Sequence, residues 1–406
     1  MHYQRVACQD VNTTGATAPV GIMNQTIHPE GENMIKSKKL LAVGIIAALG
    51  LAACGSDDDS ASESTEATES TEATEATEST EATESTEATE STEAMAEGDC
   101  AVGMAYDVTG RGDKSFNDAA GAALEQAQAD LGITFSESTP TGEGDRSARL
   151  QGLVDEGNGL VQGNGFLFKD SLTEVAGNNP DTSFTIVDDV VDLPNVASLT
   201  FAEEQGSFLV GAAAALKSQT GTIGFIGGVE NDLIKKFDAG YAAGATTVNP
   251  DIEILVNYIT QPPNFDGFND PARAKEIAAS QYEAGADVIY SAAGLSGLGS
   301  FEAAVDAGAP GEVWAIGVDS DQYNLVSAEL QPYILTSMLK KVDVATYNTI
   351  DAFCAGSFAA GQQIFDLSVE GVDYSTTGGF VDDIADQLDE YKAQIVAGEI
   401  EVPTTP

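Results

Sequence analysis

The stretch "CAVGMAYDVTGRGDKSFNDAAGAALEQAQAD" (residues 100–130) decides the fold. Its first part is mostly apolar, which predicts a buried strand over 100–108, and its alanine-rich part predicts a helix over 115–130. Between them lies a polar loop that begins with Asp107 and contains an Arg-Gly-Asp triplet. A buried strand that leads through a loop into a helix is the repeating unit of a parallel α/β sheet.

The same alternation continues towards the C-terminus. A helix with an apolar face is predicted over 203–218, and further strands are predicted over 159–168, 182–191, 195–201, 222–228, 253–259, 286–294 and 313–319. Strands that are buried on both faces and alternate with helices predict parallel sheets covered by helices. The alternating part of the chain has roughly 300 residues, which is more than a single hydrophobic core usually contains, so the pattern predicts two domains.

Acids and glycines recur where the predicted strands end. They are Asp107, Asp188, the pair Gly227-Gly228, Gly294 and Asp319. Each acid taken alone is also compatible with a solvated strand end, but ligands of open parallel sheets bind at this edge. Their recurrence therefore predicts a site for a small polar ligand. No glycine pattern with the spacing of a nucleotide-binding loop occurs in the chain.

The histidines and cysteines limit the chemistry. His2 and His28, the only histidines, both precede a signal peptide that begins at Met34. A mature protein without histidine excludes Ser-His-Asp triads and His-ligated zinc, so we expect no cofactor and no metal site. After the signal peptide only Cys100 and Cys354 remain, and in an exported protein two such thiols suggest a disulfide.

The chain is strongly acidic, with 65 acidic against 17 basic residues and a net charge of −48. A body of this charge repels nucleic acid and anionic lipid and disfavours nucleotides, while neutral solutes are unaffected. We therefore expect no nucleic-acid partner.

Residues 34–54, "MIKSKKLLAVGIIAALGLAAC", have the order of a secretory signal: lysines, an apolar run and small residues. The ending resembles the lipobox of bacterial lipoproteins, in which the cysteine, here Cys54, is lipidated. The alternative of a transmembrane anchor is disfavoured because a span needs about 20 apolar residues. Residues 1–33 lie upstream of this signal, so we expect them to be a mis-assigned extension and Met34 to be the true start.

Residues 55–99 are rich in Thr and Glu, with Glu at every third position from Glu63 to Glu93. Up to Met95 no side chain in this segment is both apolar and larger than Ala, so nothing can offset the entropy of ordering. The composition predicts a disordered acidic tether.

Six segments resemble the basic membrane protein family, which comprises substrate-binding lipoproteins of ABC transporters. They are "VGMAYDVTGRGDKSFNDAAGAAL" (102–124), "FTIVDDVVDLPNVASLTFAEEQGSFLVGAAAAL" (184–216), "GTIGFIGGVENDLIKKFDAGYAAGA" (221–245), "GADVIYSAAGLSGLGSFEAA" (285–304), "AIGVDSDQ" (315–322) and "LTSMLKKVDVATYNTI" (335–350). The likeness runs in one order through most of the chain after the tether, which is more specific than any single motif.

The resemblance implies an α/β protein of the type I periplasmic-binding fold, in which two doubly wound parallel-sheet lobes are joined by a three-crossing hinge. Lobe 1 would comprise 100–201 plus 341–365, and lobe 2 would comprise 202–340 plus 366–406. The function implied is non-enzymatic: a nucleoside, with a purine expected, is captured between the lobes and delivered to an ABC-transporter permease. The protein would be lipid-anchored on the extracytoplasmic face of the cell membrane.

The resemblance also implies site residues. At the base of the nucleoside, Asp107 would lie alongside, Phe116 would stack, Asn117 would hydrogen-bond the edge and Asp188 would accept a hydrogen bond. Stacking of a base on an aromatic ring contributes about 1–3 kcal/mol.

The remaining residues implied are Phe208 and Phe268 as a second aromatic wall, and Gly294, Asp319 and Lys340 at the ribose. A carboxylate can accept from two neighbouring hydroxyls, and an ammonium donates to a ribose oxygen. For each phenylalanine, ordinary core packing is the competing interpretation, and Lys340 could simply end a strand at the hinge. The Arg-Gly-Asp triplet lies within a family motif, so an adhesion role is not expected.

The sequence departs from the family in two places. Thr109-Gly110 stands where a Gly-Gly pair is usual, and the longer loop "QPPNFD" leaves the choice between Phe265 and Phe268 open. In the implied fold Cys100 and Cys354 lie at the same end of lobe 1, away from the cleft, which makes their disulfide a hypothesis.

Two other functions stay open at this point. The same fold could serve a ligand-sensing surface lipoprotein or a binder of another small solute such as a sugar. A hydrolase that uses acids around a calcium ion is the enzymatic alternative, but the strand-end acids are too dispersed in sequence to indicate it.

Overall fold

The computed structural model describes residues 100–142 and 144–406. All of them belong to one compact unit. The expected upstream extension, signal peptide, lipidation site at Cys54 and acidic tether lie outside the described residues.

The described chain forms twelve strands. They are β1 (Ala101–Ala105), β2 (Thr134–Ser138), β3 (Leu160–Asn164), β4 (Ser183–Val187), β5 (Val196–Phe201), β6 (Thr222–Val229), β7 (Glu253–Thr260), β8 (Val288–Ala292), β9 (Trp314–Asp319), β10 (Ile334–Lys340), β11 (Gly361–Phe365) and β12 (Val372–Tyr374). The central strands are buried along nearly their whole length, as the continuous apolar runs predict.

The strands form two six-stranded sheets, with the orders β11-β5-β4-β3-β1-β2 and β12-β10-β9-β8-β6-β7. All pairs are parallel except β10 with β12. The chain passes between the sheets three times, after β5, after β10 and after β11. The two sheets therefore repeat one strand order, and β4 of the first corresponds to β9 of the second.

Nine helices lie in the described residues. They are α1 (Phe116–Leu131), α2 (Arg146–Asp155), α3 (Lys169–Asn178), α4 (Glu203–Lys217), α5 (Asp232–Val248), α6 (Pro271–Glu283), α7 (Gly297–Ala307), α8 (Val342–Cys354) and α9 (Ala385–Val396). We call the first sheet with α1–α3 and α8 lobe 1, and the second sheet with α4–α7 and α9 lobe 2. None of these helices has the length and apolarity that crossing a membrane would require.

Helices α4 and α5 pack unusually closely because glycines face the neighbouring backbone. A Cβ on Gly240 of α5 would lie 2.1 Å from the carbonyl oxygen of Glu204 in α4. A Cβ on Gly211 of α4 would lie 2.1 Å from the carbonyl oxygen of Tyr241 in α5. This close approach brings the first turn of α4, with Glu203, next to Lys236 of α5.

A disulfide joins Cys100, just before β1, to Cys354, the last residue of α8. It links positions 254 residues apart and lies within lobe 1, where α8 packs on α1. The pairing that the sequence suggested is therefore present, and it ties the second of the two chain segments that form lobe 1 to the first strand.

Candidate functional site

A cavity lies between the lobes, at the carboxyl ends of their parallel strands. Its empty space, which includes space open to solvent, is about 590 Å³. Lobe 1 contributes Asp107, Val108, Thr109, Asp113, Phe116, Asn117, Gly165, Phe166 and Asp188; lobe 2 contributes Leu233, Ile234, Phe237, Phe268, Ala292, Ala293, Gly294, Val318, Asp319 and Lys340. Of the nine ligand-binding residues predicted, the structure brings eight together in this cavity.

Phe208 is the exception, and its predicted place in an aromatic wall is wrong. Its side chain is buried in the core of lobe 2 with 1% exposure and packs edge-on against Tyr391, with ring centroids 5.8 Å apart. Because α4 presents Phe208 towards α9 rather than towards the cleft, the interpretation as ordinary core packing is the correct one.

The loop after β1 is held by Asp113, the acid of the Arg-Gly-Asp triplet. Its carboxylate accepts hydrogen bonds from the backbone N–H groups of Ser115, Asn117 and Asp118, at 3.0, 2.8 and 3.1 Å. The bonds satisfy free N–H groups at the start of α1. Asp113 is 2% exposed, and its burial raises the pKa of the carboxyl to about 6. The acid therefore has a structural role and cannot be presented to a receptor.

Arg111 belongs to the same loop and is also committed to the fold. Its guanidinium contacts Glu125 at 2.7 Å, Glu137 at 3.0 Å and Asp118 at 3.4 Å. It lies outside the cavity lining, as expected for a contact that holds the loop on lobe 1.

Asp107 lies two residues after the end of β1 and lines the cavity. Its Oδ1 lies 3.3 Å from the guanidinium of Arg146, behind the cavity wall. Burial raises the pKa of the Asp107 carboxyl, and the charge of Arg146 opposes this shift. Gly165 is required here, since it has a φ of +126° and a Cβ would lie 2.6 Å from Oδ2.

Asn117 lines the cavity, but its amide is fully used within lobe 1. Its Oδ1 accepts from the Asp107 backbone N–H at 3.2 Å and from the Asn164 amide at 3.1 Å. Its Nδ2 donates to the Thr109 hydroxyl at 2.8 Å and to Asp113 at 3.1 Å. An amide offers two donors and one oxygen with two lone pairs, so all are engaged. Asn117 is therefore placed to hold the wall rather than to contact a ligand.

The departure from the family at Thr109-Gly110 is accommodated without strain at Thr109. The left-handed backbone conformation falls on Gly110, with a φ of +64°. The Thr109 hydroxyl accepts from Asn117, which leaves its own O–H free to donate into the cavity.

Asp188 and Asp319 occupy corresponding positions in the two lobes. Asp188 follows β4 and Asp319 ends β9, and both have left-handed backbones, with φ of +72° and +63°. This conformation is uncommon outside glycine and turns each carboxylate from its strand into the cavity. Burial raises the pKa of both carboxyls, that of Asp188 to about 7.

Lys340, the last residue of β10, is the one ammonium among the residues that line the cavity. Its Nζ lies 2.6 Å from Asp188 and 3.2 Å from Glu203, and its side chain is 2% exposed. It also lies 5.2 Å from the ring centroid of Phe116 and 5.0 Å from that of Phe201, so two aromatic faces help to hold the charge. Burial lowers the pKa of Lys340, but the charges of the neighbouring Asp188, Glu203 and Asp319 outweigh it and raise the pKa above its usual value.

Glu203 links this ammonium to a second one. Its Oε2 lies 3.0 Å from Nζ of Lys236, while Oε1 faces Lys340. Glu203 is fully buried, and this pairing compensates its charge. Because Asp188 and Lys340 form an ion pair, they face the same part of the cavity and cannot serve opposite ends of one ligand.

Aromatic rings cover the apolar part of the cavity. Phe268, which leads into α6, lines it, whereas Phe265 does not, so the open choice resolves in favour of Phe268. Both contact Phe166 of lobe 1 edge-on, with centroid distances of 6.4 and 6.0 Å. Gly294 follows β8, where a φ of +56° turns the backbone beside Phe268.

Several lining residues were missed in the sequence. Phe166 lies two residues after β3, but the predicted strand ran to residue 168, so the sequence did not indicate that Phe166 stands at a strand end. Leu233, Ile234 and Phe237 lie on the first turns of α5, and their apolar spacing is the same as that of residues that only pack in a core. Among the described residues, no three His, Cys, Asp or Glu side chains are grouped to hold a metal.

Comparisons with known proteins agree with this geometry. The family model described as "ABC transporter substrate-binding protein PnrA-like" (Bmp) matches residues 101–406. A Lactococcus lactis protein named "ABC transporter nucleoside-binding protein BmpA" is 33% identical over 323 residues, which cover 75% of this chain and 90% of the relative. The "CD4+ T-cell-stimulating antigen" of Listeria monocytogenes is 34% identical over 326 residues, 76% of this chain and 89% of the relative.

Among solved structures, an ABC-transporter solute-binding protein from Aeropyrum pernix K1 superposes with a TM-score of 0.66 and 28% identity. The match covers 75% of this chain and 93% of the other. The fold is thus that of the periplasmic solute-binding proteins, with two parallel-dominated sheets around a ligand cleft.

Proposed function

This chain belongs to the Bmp family of ABC-transporter substrate-binding proteins, and from that premise we propose that its cavity binds a nucleoside, preferably a purine nucleoside. As a member of that family it is an extracytoplasmic binding component that works with a ligand and a membrane permease, and the family is not a class of enzymes. Beyond this family role, we propose which ligand the cavity binds and what each side chain contributes.

The composition of the cavity carries the proposal. Phenylalanines from both lobes form its apolar walls, and buried carboxylates with one ammonium form its polar part. A nucleoside combines a flat base with two π faces, a polar base edge and a ribose with hydroxyls. The aromatic walls suit the base, and the acceptors suit the ribose hydroxyls.

At the base we assign stacking to Phe116 from lobe 1 and Phe268 from lobe 2. Phe268 is supported by Phe166, whose ring packs edge-on against it. Asp107 Oδ2 accepts from a donor on the base edge, and Asn117 keeps this wall in place through its bonds within lobe 1.

At the ribose we assign Asp319, Gly294 and Lys340. Lys340 Nζ forms ion pairs with Asp188 and Glu203, at 2.6 and 3.2 Å, and its ammonium donates to a ribose oxygen. Asp188 thus acts at the ribose end by fixing Lys340, instead of accepting from the base. A sugar that lacks a hydroxyl would leave a buried acceptor unpaired, at a cost of about 1–3 kcal/mol.

We also propose that the protein is anchored by a lipid on Cys54. The lysine-rich start, apolar run and Leu-Ala-Ala-Cys ending of residues 34–54 support this, and the tether of residues 55–99 would let the lobes reach a permease. Mass spectrometry of the membrane fraction tests the anchor: a lipid-modified peptide that begins at Cys54 supports it, and an unmodified Cys54 contradicts it.

The ligand is tested by thermal shift of the purified protein, freed of carried-over ligand, against adenosine, guanosine, inosine, cytidine, uridine, ribose and galactose. A ligand at 100 times its Kd stabilises the fold by about 2.7 kcal/mol, which is a shift of several degrees. Asp319→Asn should abolish the shift, whereas Asp306→Asn, the same change at an exposed position of α7 outside this cavity, should retain it.

A shift with purine nucleosides that is lost in Asp319→Asn supports the proposal. A shift with ribose or galactose alone contradicts it and favours a sugar-binding protein. No shift with any nucleoside, in protein shown to be folded, also contradicts it.

A further inference from the structure

Beside the cavity, a turn of lobe 1 contacts a segment of lobe 2 directly. Residues 114–115 and residues 318–322 form this contact, and we call it the clasp. Ser115 Oγ lies 2.5 Å from Asp319 Oδ2 and 3.3 Å from the carbonyl oxygen of Val318. Ser320 Oγ donates to the carbonyl oxygen of Ser115 at 3.1 Å, and Gln322 Nε2 donates to that of Lys114 at 3.0 Å.

The bond between Ser115 and Asp319 is the shortest in the clasp. A serine hydroxyl has a single proton, and the shorter distance assigns that proton to the Asp319 carboxylate. Hydrogen bonds from a hydroxyl to a carboxylate at such distances are among the stronger ones. Ser115 is fully buried and Asp319 is 8% exposed, so water does not compete effectively for this bond.

Lobe 2 also supports the backbone of the turn that carries Ser115. Lys114 has a left-handed φ of +54°, which is uncommon for a side chain of this size. The carbonyl oxygens of Lys114 and Ser115 each receive a hydrogen bond from lobe 2, through Gln322 and Ser320. Lobe 1 holds this turn as well, because Asp113 accepts from the Ser115 N–H at 3.0 Å and Asp118 accepts from the Lys114 N–H at 2.9 Å. The bonds from Gln322 and Ser320 add to this support only while the lobes are together.

We propose that Ser115 is a positioning residue, which orients the Asp319 carboxylate for the ligand only when the lobes close. This inference rests on the proposed function for the role of Asp319, and it goes further by assigning a residue that bridges the lobes. In an open form Ser115 and Asp319 separate, and the carboxylate loses the donor that fixes it. Closure and tight contact with the ligand hydroxyls are thereby coupled.

The coupling has a kinetic consequence. Encounter takes place with open lobes, before the clasp exists, so removal of the Ser115 hydroxyl should leave the association rate nearly unchanged. Release requires the clasp to break, so the dissociation rate should rise about tenfold or more, because a hydrogen bond to a charged group is lost.

Stopped-flow measurement of nucleoside binding to Ser115→Ala tests this, with adenosine, guanosine and inosine as probes. Ser198→Ala is the matched control, since Ser198 is equally buried but its hydroxyl bonds within lobe 1, to Val191. Ser320→Ala removes a bond of the clasp without touching Asp319, and it should raise the dissociation rate less than Ser115→Ala does. Small-angle scattering of each variant, with and without nucleoside, reports the radius of gyration and thus the degree of closure.

The expected result is faster dissociation at unchanged association in Ser115→Ala, a smaller effect in Ser320→Ala and none in Ser198→Ala. Equal dissociation rates for Ser115→Ala and the wild type would overturn the proposal, as would equal effects of Ser115→Ala and Ser198→Ala. If the wild type binds none of the probes, the proposed function fails. The radii of gyration of the unliganded proteins then test whether Ser115 helps to hold the lobes together. A larger radius in Ser115→Ala than in the wild type supports this role, and equal radii overturn it.

Discussion

Three carboxylates surround the ammonium of Lys340, and this imbalance gives the site its titration behaviour. Asp188, Glu203 and Asp319 all contribute, with Lys236 as a second cation behind Glu203. Burial raises the pKa of Asp188 to about 7, since the charge of Lys340 only partly offsets desolvation and repulsion from Glu203. The burial of Asp113 acts in the same direction and raises its pKa to about 6.

We predict from these shifts that the protein is more stable at pH 5 than at pH 7.5. In the folded protein Asp188 keeps its proton up to about pH 7, whereas the pKa of an unperturbed aspartate is 3.8. The unfolded chain therefore releases this proton first, so stability falls as pH rises between these values and levels off above them. Thermal denaturation across this range measures the slope.

Asp188→Asn should reduce that slope because it removes the titrating group. Asp189→Asn is the control: the neighbouring residue pairs with Lys169 at 2.7 Å and lies outside the cavity. A slope in Asp188→Asn equal to that of the wild type would show that another group governs the pH dependence.

Single residues were predictable from the sequence where a strand end carried them. Asp188, Gly294 and Asp319 stand at such ends, and all three line the cavity. Phe208 and Phe237 show the limit, since both are phenylalanines on apolar helices. Only the packing of α4 against α9 and of α5 against the cleft decides which of them faces the ligand, and no local pattern encodes that.

At the scale of elements, the disulfide joins the start of β1 to the end of α8. We predict that Cys354→Ser lowers the stability of the protein. The crosslink joins residues 254 positions apart and therefore reduces the conformational entropy of the unfolded chain, which favours the folded state. Removal of a native disulfide typically costs about 2–5 kcal/mol. Denaturation in urea, compared between Cys354→Ser and the oxidised wild type, measures this difference.

Nucleoside affinity in Cys354→Ser should stay near that of the wild type at a temperature where both are folded, since neither cysteine lines the cavity. Equal stability of the two proteins would contradict a structural role for the bond.

Strands inside the sheets were indicated better than edge strands, with two exceptions: β10 is an inner strand that was not predicted, and β7 is an edge strand that was. β3, β8 and β9 are fully buried, and the predicted runs contain them. β2 reads "TFSES" and β11 reads "GQQIF", and both lie at edges of the first sheet with several exposed side chains. Edge strands of this composition form because the neighbouring strand offers hydrogen bonds, which their own periodicity does not reveal.

At the scale of the whole molecule, charge sets which ligands can approach. The net charge of −48 and the surplus of carboxylates at the cavity both oppose a second anion. We predict that adenosine 5′-monophosphate binds at least tenfold more weakly than adenosine, with the deficit reduced at high salt. Calorimetric titration at two salt concentrations measures both effects, and equal affinity for the two ligands would contradict this prediction.

The two-lobed organisation was accessible from the sequence through the repeated strand–helix alternation and the likeness of six segments to one family. A cleft between the lobes was also implied by that likeness, but the direct contacts across it were not accessible. The clasp depends on residues about 200 positions apart, such as Ser115 and Asp319, and on left-handed backbones at non-glycine positions. Such contacts and backbone conformations depend on the packing of the two lobes against each other, which no local sequence pattern encodes.

The crystal structure of the protein with a bound purine nucleoside tests the central claim most directly. The account predicts the base between Phe116 and Phe268, with the ribose hydroxyls on Asp319 and one ribose oxygen within hydrogen-bond distance of Lys340 Nζ. A nucleoside bound outside this cavity, or one whose base lies against Lys340 while the ribose contacts Phe268, would contradict it.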